Sequence, residues 1–483
     1  MSEFLANWWP YLVFLFDITI SLLASSHAVL NKRDVRSAIG WSSIIWLAPV
    51  LGSVLYVMFG VNRIARRAQS LRAKQPQLPI SRSMVVLAPD SLGECLGNDR
   101  SQLNALARLG SEVTDLPLLA GNRVAPLNGG ANAYPAMLGA IDRAEHSITL
   151  STYIFDNDPS GRKFLDALTN AVKRGVQVRV IVDDVGQRYS WNSIVPPLRA
   201  AGVQVAQFLP TLVPWHFRYA NLRSHRKIMV VDGRYGFTGG MNIRHGNTLA
   251  PDCRAPIQDL HFSVEGPVVA QMQETFAWDW GFCTGEVLTG ELWFPRLEPA
   301  GTMLARGIPD GPDEDFEELR LILLGALACA EKSILIVTPY FIPDDAILTS
   351  LNIAALRGVQ VDVVIPDRSN LRLVQWAMVP VVRLLLDSGV CVWRSAGPFD
   401  HSKILVVDNA WTTFGSANWD ARSLRLNFEF NVEVFDCHLA QQLTTIVQEK
   451  IAHSQRITAA EIDARPLPIK LRDGVARLAT PYL

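Results

Sequence analysis

The stretches HRKIMVVDGRYGFTGGMN (residues 225–242) and HSKILVVDNAWTTFGSAN (residues 401–418) are two copies of one pattern. In both, a lysine follows the histidine by two residues and an aspartate follows it by seven. Asparagine closes each copy at the seventeenth: His225, Lys227, Asp232 and Asn242, then His401, Lys403, Asp408 and Asn418. A single His-x-Lys on an apolar stretch is weak evidence of chemistry, but two copies without a slip point to a shared site. Residues two apart on a strand share a face, so each His–Lys pair is expected to project together.

The repeat extends outward. SITLSTYIF (147–155) reads as a strand, the next segment sets Phe164, Leu165, Leu168, Ala171 and Val172 on one helical face, and RGVQVRVIVDD (174–184) returns as a buried strand. In the second half SILIVTPYF (333–341), a helix carrying Ile347, Leu348, Leu351 and Ala355, and RGVQVDVVIPD (357–367) repeat the order. The expected class is α/β, with two pseudo-symmetric halves built on one βαβ-type unit.

Two apolar stretches precede them. Residues 8–30 are interrupted mainly by Asp17, and residues 38–61 carry no charge. Each is long enough to cross a bilayer, which predicts a membrane hairpin over 1–65. Trp8, Trp9 and Tyr11 would anchor one interface, and no basic n-region marks a cleaved signal. Lys32, Arg33 and Arg36 lie between the spans, and Arg63, Arg66, Arg67, Arg72 and Lys74 follow them, so the positive-inside rule predicts a cytoplasmic main body. Residues 66–118 read as a connector, 119–295 and 296–460 as the two halves, and 461–483 as a C-terminal tail.

The net charge of −1 gives no global attraction for a polyanion, so no nucleic-acid partner is expected. The six cysteines contain no Cys-x-x-Cys pair, and no metal cluster or cofactor motif is evident. Converging about a twofold axis, one imidazole can attack phosphorus while the other protonates the leaving oxygen. The lysines and asparagines would hold the phosphoryl oxygens. Gly240 and Ser416 occupy equivalent positions beside them. Asp232 and Asp408 are either turn residues or direct participants at the phosphate. Asp259 and Glu429, in the matching contexts DLHFSV and EFNVEV, are either partners of the imidazoles or surface ion-pair residues. The basic and aromatic run 214–227 reads as a pocket mouth or as a self-packed loop. His216, His245 and His261 receive no role.

These motifs resemble the phospholipase D superfamily. With WLAPVLGSVLYVMFG, YIFDNDPSG, NLRSHRKIMVVDGRYGFTGGMNI and GSANWDARSLRLNFEFNVEVFD, the chain is similar to its bacterial cardiolipin synthases. The resemblance implies a membrane enzyme without cofactor, acting on phosphatidylglycerol and other anionic phospholipids. It also implies phosphatidyl transfer through a phosphohistidine to give cardiolipin and glycerol, with His225 as nucleophile and His401 as acid. Hydrolysis, transfer to another alcohol and use of phosphatidylethanolamine remain alternatives, and the oligomeric state is open. Ser224 before the first histidine, Asp400 before the second and the IQDLHF stretch depart from the family pattern.

Overall fold

The computed structural model describes residues 2–32, 35–60, 92, 100–189, 192–210, 222–253, 255–311 and 317–480. The basic cluster after residue 61, Arg33, most of the connector and residues 214–221 lie outside them, as does the side chain of Arg36. The chain divides into a unit formed by 1–67 with 211–221 and a second, larger unit.

In the first unit, α1 (Ser2–Asn31) is continuous, and its Trp8–Asn31 portion is long and apolar enough to cross a membrane. The expected second span differs. It breaks into α2 (Val35–Leu47) and α3 (Pro49–Leu55), then winds as a π-turn over Tyr56–Gly60. The break falls at Ala48, whose φ of −142° is non-helical, because Pro49 disfavours helical geometry in the preceding residue and has no N–H to donate. Neither fragment reaches spanning length, so one helix rather than two meets that test among the described residues. The fragments fold back on α1 through Ala28, Ile45 and Tyr56, and His27 Nδ1 lies 2.8 Å from the Tyr56 hydroxyl. Trp8, Trp9 and Tyr11 are exposed.

The second unit is organised on one 15-stranded mixed sheet. The first half supplies β1 (Leu119–Asn128), β2 (Ser147–Thr152), β3 (Gln177–Asp183), β4 (Gln204–Phe208), β5 (Ile228–Val231), β6 (Tyr235–Gly239) and β7 (Leu260–Glu265). The second half supplies β8 (Met303–Asp310), β9 (Ser333–Val337), β10 (Gln360–Pro366), β11 (Cys391–Ser395), β12 (Ile404–Val407), β13 (Trp411–Gly415), β14 (Glu429–Phe435) and an edge strand β15 (Ser454–Arg456). From the central β1–β8 seam outward, the first half runs β1-β7-β6-β5-β2-β3-β4 and the second β8-β14-β13-β12-β9-β10-β11. The parallel pairs β2–β3 and β3–β4 recur as β9–β10 and β10–β11. The duplication seen in the motifs is therefore a duplication of topology.

The local chemistry repeats too. Asp158 and Asp344 cap helices Pro159–Lys173 and Asp345–Leu356, each accepting two backbone N–H bonds. The shared RGVQV ends both helices. Gly175 and Gly358 both take φ +93°, a left-handed stop that a side chain would strain. Arg174 and Arg357 reach back to the last carbonyls of the preceding helices, at Ile141 (2.8 Å) and Ala328 (3.0 Å). Separate cores lie in the two halves, and a third joins them across the seam, where Phe262 and Phe414 stack at 3.6 Å.

Residues 102–114 of the connector form a helix, pinned to β8 by Arg306. That guanidinium is fully buried against Glu433 and also donates to Ser111 Oγ (2.7 Å) and the Ala107 carbonyl (3.1 Å). The far oxygen of Glu433 accepts from Trp411 Nε1 at 2.9 Å. Removing one partner of such a pair strands a buried charge. Arg306→Met is expected to destabilise the larger unit by about 3–5 kcal/mol, read as a lowered denaturant midpoint in detergent.

Candidate functional site

Each His-x-Lys segment leaves its own half to pair with the other. The sequence reading placed these residues on a strand, but β5 and β12 begin only after Lys227 and Lys403. Before that point the His225 amide donates to the Phe428 carbonyl at 2.8 Å, and Ser224 bridges Phe428. In the symmetry-related place the His401 amide donates to the Gln258 carbonyl at 2.7 Å, and Phe399–Asp400 runs parallel to Ile257–Gln258. Backbone groups that would continue each sheet are instead satisfied across the twofold.

The next residue after each acceptor is a carboxylate. Glu429 follows Phe428, and its Oε2 lies 3.1 Å from His225 Nδ1. Asp259 follows Gln258, and its Oδ2 lies 2.9 Å from His401 Nδ1. Both carboxylates are 0 % exposed, so the surface-pair alternative does not describe them. The pairing is crossed, each acid holding the histidine of the other half. The imidazole rings stand 6.4 Å apart at 83°.

The two pairs differ electrostatically. His225 Nδ1 also faces the Ser416 carbonyl at 3.0 Å, so both of its partners are acceptors and this nitrogen carries the proton. Burial works against Glu429 ionising. His225, Lys227 and the Ser416 hydroxyl outweigh it and hold the carboxyl below its ordinary range. Asp259 has no serine beside it. Gly240 stands there, and a Cβ at that position would come within 2.3 Å of Asp259 Oδ1. Burial, reinforced by Asp400, pushes Asp259 up to about 7. Burial also lowers both histidines, His401 well below its ordinary value.

Lys227 Nζ and Lys403 Nζ each sit 2.6 Å from the carbonyl of their own histidine, and Lys403 lies 3.0 and 3.1 Å from the two ring nitrogens of His401. Burial brings Lys227 down to about 7 and Lys403 to about 8. An anion entering the cleft would restore both charges.

Asn242 and Asn418 line the same cleft. Asn242 Oδ1 is fixed by the Ile154 amide at 3.1 Å, whereas the buried Asn418 Oδ1 has no partner. The cleft holds about 380 Å³, with Tyr153, Tyr340 and Phe399 among its walls and Arg223, Arg244 and Arg422 at its polar positions. Tyr153 meets His225 edge-on at 5.1 Å and Tyr340 meets His401 at 6.4 Å. The sequence reading gave these tyrosines no role. Their signal was their place just beyond the duplicated strands, in STYIF and TPYF.

Asp232 and Asp408, counted among the catalytic candidates with a turn role as the alternative, stand away from the cleft, and the turn role is the one the geometry bears out. Each begins the turn at the far end of β5 or β12 from its His–Lys pair, at φ 51° and 52°. The carboxylate of Asp232 accepts three amides, from Glu145 (3.0 Å), His146 (2.7 Å) and Ser147 (2.9 Å). Asp408 does the same for Glu331, Lys332 and Ser333 at 2.9, 2.7 and 2.8 Å. They lock the start of β2 and β9.

His261 is buried behind Asp259 and outside the cleft lining, and residue 216 lies outside the described residues. Among the described residues, Cys253, Cys283, Cys329, Cys391 and Cys437 form no disulfide. His245, Asp252 and Cys253 place one potential ligand atom each within 4.8 Å of one another, apart from the two catalytic-candidate histidines.

Among solved structures, the chain resembles phosphatidylserine synthase of Haemophilus influenzae Rd KW20, with a TM-score of 0.58 at 15% identity, over 78% of this chain and 100% of that one. At that identity the likeness concerns the fold. Residues 137–280 and 323–451, one block in each half, match the family described as "Cardiolipin synthase, PLD-like domain", so the class is phospholipase D-like. The major cardiolipin synthase of Bacillus subtilis (strain 168) is 32% identical over 98% of this chain and 99% of its own length. The cardiolipin synthase of Geobacillus thermodenitrificans (strain NG80-2) is 31% identical over 99% and 95%, and cardiolipin synthase A of Pseudomonas entomophila (strain L48) is 32% identical over 98% of each. The chain belongs to the phospholipase D-like cardiolipin synthase family.

The placement of the two turn aspartates separates stability from chemistry. Asp408→Ala leaves three amides without their acceptor and is expected to cost about 1–3 kcal/mol. The denaturant midpoint should fall while turnover per folded molecule stays within a few-fold. A loss of turnover without loss of stability would return Asp408 to the chemistry.

Proposed function

We propose that the chain is a phosphatidyltransferase that converts two phosphatidylglycerol molecules into cardiolipin and glycerol. The crossed carboxylate–imidazole pairs carry the assignment of roles. Glu429, ionised, fixes the proton of His225 on Nδ1 and leaves Nε2 with a free lone pair, the form a nucleophile needs. Asp259, near neutrality, can hold a proton and donate it to His401 Nδ1. That leaves the His401 proton on Nε2, the form a general acid needs.

His225 Nε2 attacks the phosphorus of the first phosphatidylglycerol, and the P–O bond to the headgroup glycerol breaks. His401 Nε2–H passes its proton to the departing oxygen, while Nδ1 takes the proton of Asp259. A phosphatidyl group is then joined to His225. A hydroxyl of the second phosphatidylglycerol gives its proton to His401 Nε2 while Nδ1 returns its proton to Asp259, and the oxygen displaces His225 from phosphorus. Lys227, Lys403, Asn242 and Asn418 hold the non-bridging oxygens, where the two ammonium groups offset charge best once water has left the cleft. Arg223, Arg244 and Arg422 give the cleft the polarity that anionic headgroups require.

The halves taking part span 119–295 and 296–460, with 66–118 linking them to the N-terminal segment. The chain works at a bacterial cell membrane, held there through its N-terminal helix, with the larger unit on the cytoplasmic side. Water reaching the phosphohistidine would give phosphatidic acid, so the balance of products reports how well the cleft admits an alcohol.

The test is a lipid mass-spectrometric assay with phosphatidylglycerol as sole lipid. Cardiolipin and glycerol are expected, with turnover lowered at least about 10²-fold in His401→Ala. Phosphatidic acid as sole product would overturn the synthase reading. A phosphatidyl adduct should map to the peptide bearing His225, and an adduct on His401 would reverse the roles.

The acid limb of kcat/KM reports protonation of His225. Burial lowers that pKa, so the limb should lie below the ordinary histidine value of about 6.5. Glu429 opposes that shift by favouring the imidazolium, so Glu429→Gln should move the limb lower still while reducing kcat. A limb moving upward would show that Glu429 does not act through His225.

A further inference from the structure

The helix Leu467–Leu478, LPIKLRDGVARL, turns its apolar side outward. Leu467, Leu471, Val475 and Leu478 are 68, 60, 66 and 80 % exposed, at spacings of four, four and three residues, which is one continuous stripe. A helix resting on a protein surface ordinarily presents polar residues to water. The polar side chain that would suit that position is inside: Asp473 is 2 % exposed, paired with Arg465 and Arg472. Lys470 and Arg477 border the stripe on one side and Arg472 on the other, and the helix contains no other acid.

The position of the helix gives the stripe a direction. Asp463, just before it, pairs with Arg383, while Arg472 lies over the Trp376 ring at 4.4 Å. The helix therefore runs antiparallel to Arg372–Leu386, and its Leu478 end approaches the start of that neighbour. There Leu371 and Leu373 are 44 and 42 % exposed, and Leu371 and Val374 line the catalytic cleft. An apolar, cation-edged surface thus ends at the cleft mouth.

We propose that this face docks on an anionic phospholipid bilayer, with the leucines below the headgroups and Lys470 and Arg477 among them. Apolar residues on one face with basic residues alongside describe a helix lying in the bilayer interface. The charge pattern argues against a second copy of the chain, because two such faces would bring like charges together. The choice of lipid rests on the phosphatidyltransferase reading, since a bilayer-borne substrate needs the cleft mouth at the headgroup level. Docking brings it there.

The test uses the full chain with vesicles of phosphatidylglycerol and phosphatidylcholine containing a trace of lipid bearing a photoreactive diazirine high in its acyl chain. Mass spectrometry after irradiation should find adducts on Leu467, Leu471, Val475 or Leu478, reduced at least about tenfold in Leu471→Gln/Val475→Gln. That double variant should lose a similar factor of turnover on vesicles and keep its turnover on monomeric short-chain phosphatidylglycerol. Absence of adducts on 467–478 would overturn the docking. So would unchanged vesicle turnover in the variant, equal labelling in pure phosphatidylcholine, or cross-links joining this helix to its counterpart in another copy. The labelling needs no catalysis, so His225→Ala should give the same adducts. A chain that labels but turns over neither form of the lipid would instead overturn the transferase reading.

Discussion

The hydrogen bonds that tie His225 to Glu429 and His401 to Asp259 are available only because each half gives up a short run of backbone pairing to the other. The amide of each histidine donates across the twofold, and the residue after its acceptor delivers the carboxylate. Neither half holds a finished site. The seam of β1 against β8 and the stacked Phe262 and Phe414 fix the distance at which the exchange works. A displacement of either half would separate imidazole from carboxylate and would also leave buried backbone groups unpaired, which is costly in a low-dielectric interior. Geometry at the imidazoles is thereby coupled to packing at the seam.

Within that frame two lysines and two carboxylates, all buried, stand against the histidines that line the cleft. Their ionisation is mutually dependent: each lysine is depressed by burial and supported by the carboxylates, and the second lysine opposes the first. Such a set is poorly satisfied while it faces only itself. In the proposed reaction a phosphodiester supplies the missing negative charge and accepts from the ammonium groups at the same time. The turn aspartates stand away from the cleft, where they hold the starts of β2 and β9 that carry Tyr153 and Tyr340 toward it.

Much of this was legible in the sequence because the duplication wrote each signal twice. RGVQV marked a returning strand in both halves, and the structure adds that its glycine, at φ +93° in each copy, first ends the helix before it. The shared contexts of Asp259 and Glu429 marked them as equivalent, and they are, although nothing in a linear pattern could say that each serves the opposite histidine. That fact belongs to the twofold relation between halves. Strand register failed at His-x-Lys for the same reason, since local periodicity assumes pairing within one sheet. The second apolar stretch misled through hydropathy: Pro49 contributes almost nothing to an average but removes a donor and constrains Ala48. Asp232 and Asp408 could be read as turn residues or as participants in the chemistry because their spacing from the histidines is invariant. The spacing is the length of a four-residue strand, and the aspartates mark its other end.

Symmetry in this fold stops at the carboxylates, and the break is where direction enters. A site with two identical dyads could begin the reaction from either histidine. Here the position that holds Ser416 beside Glu429 holds Gly240 beside Asp259, and the shorter acid fills the space a serine side chain would need. Glu429, held by His225 and Lys227 with the serine hydroxyl beside it, lies below its ordinary range, while burial and the neighbouring Asp400 raise Asp259 toward neutrality. In the proposed reaction this unequal setting of the two carboxylates sorts the imidazoles into a lone-pair form and a proton-bearing form.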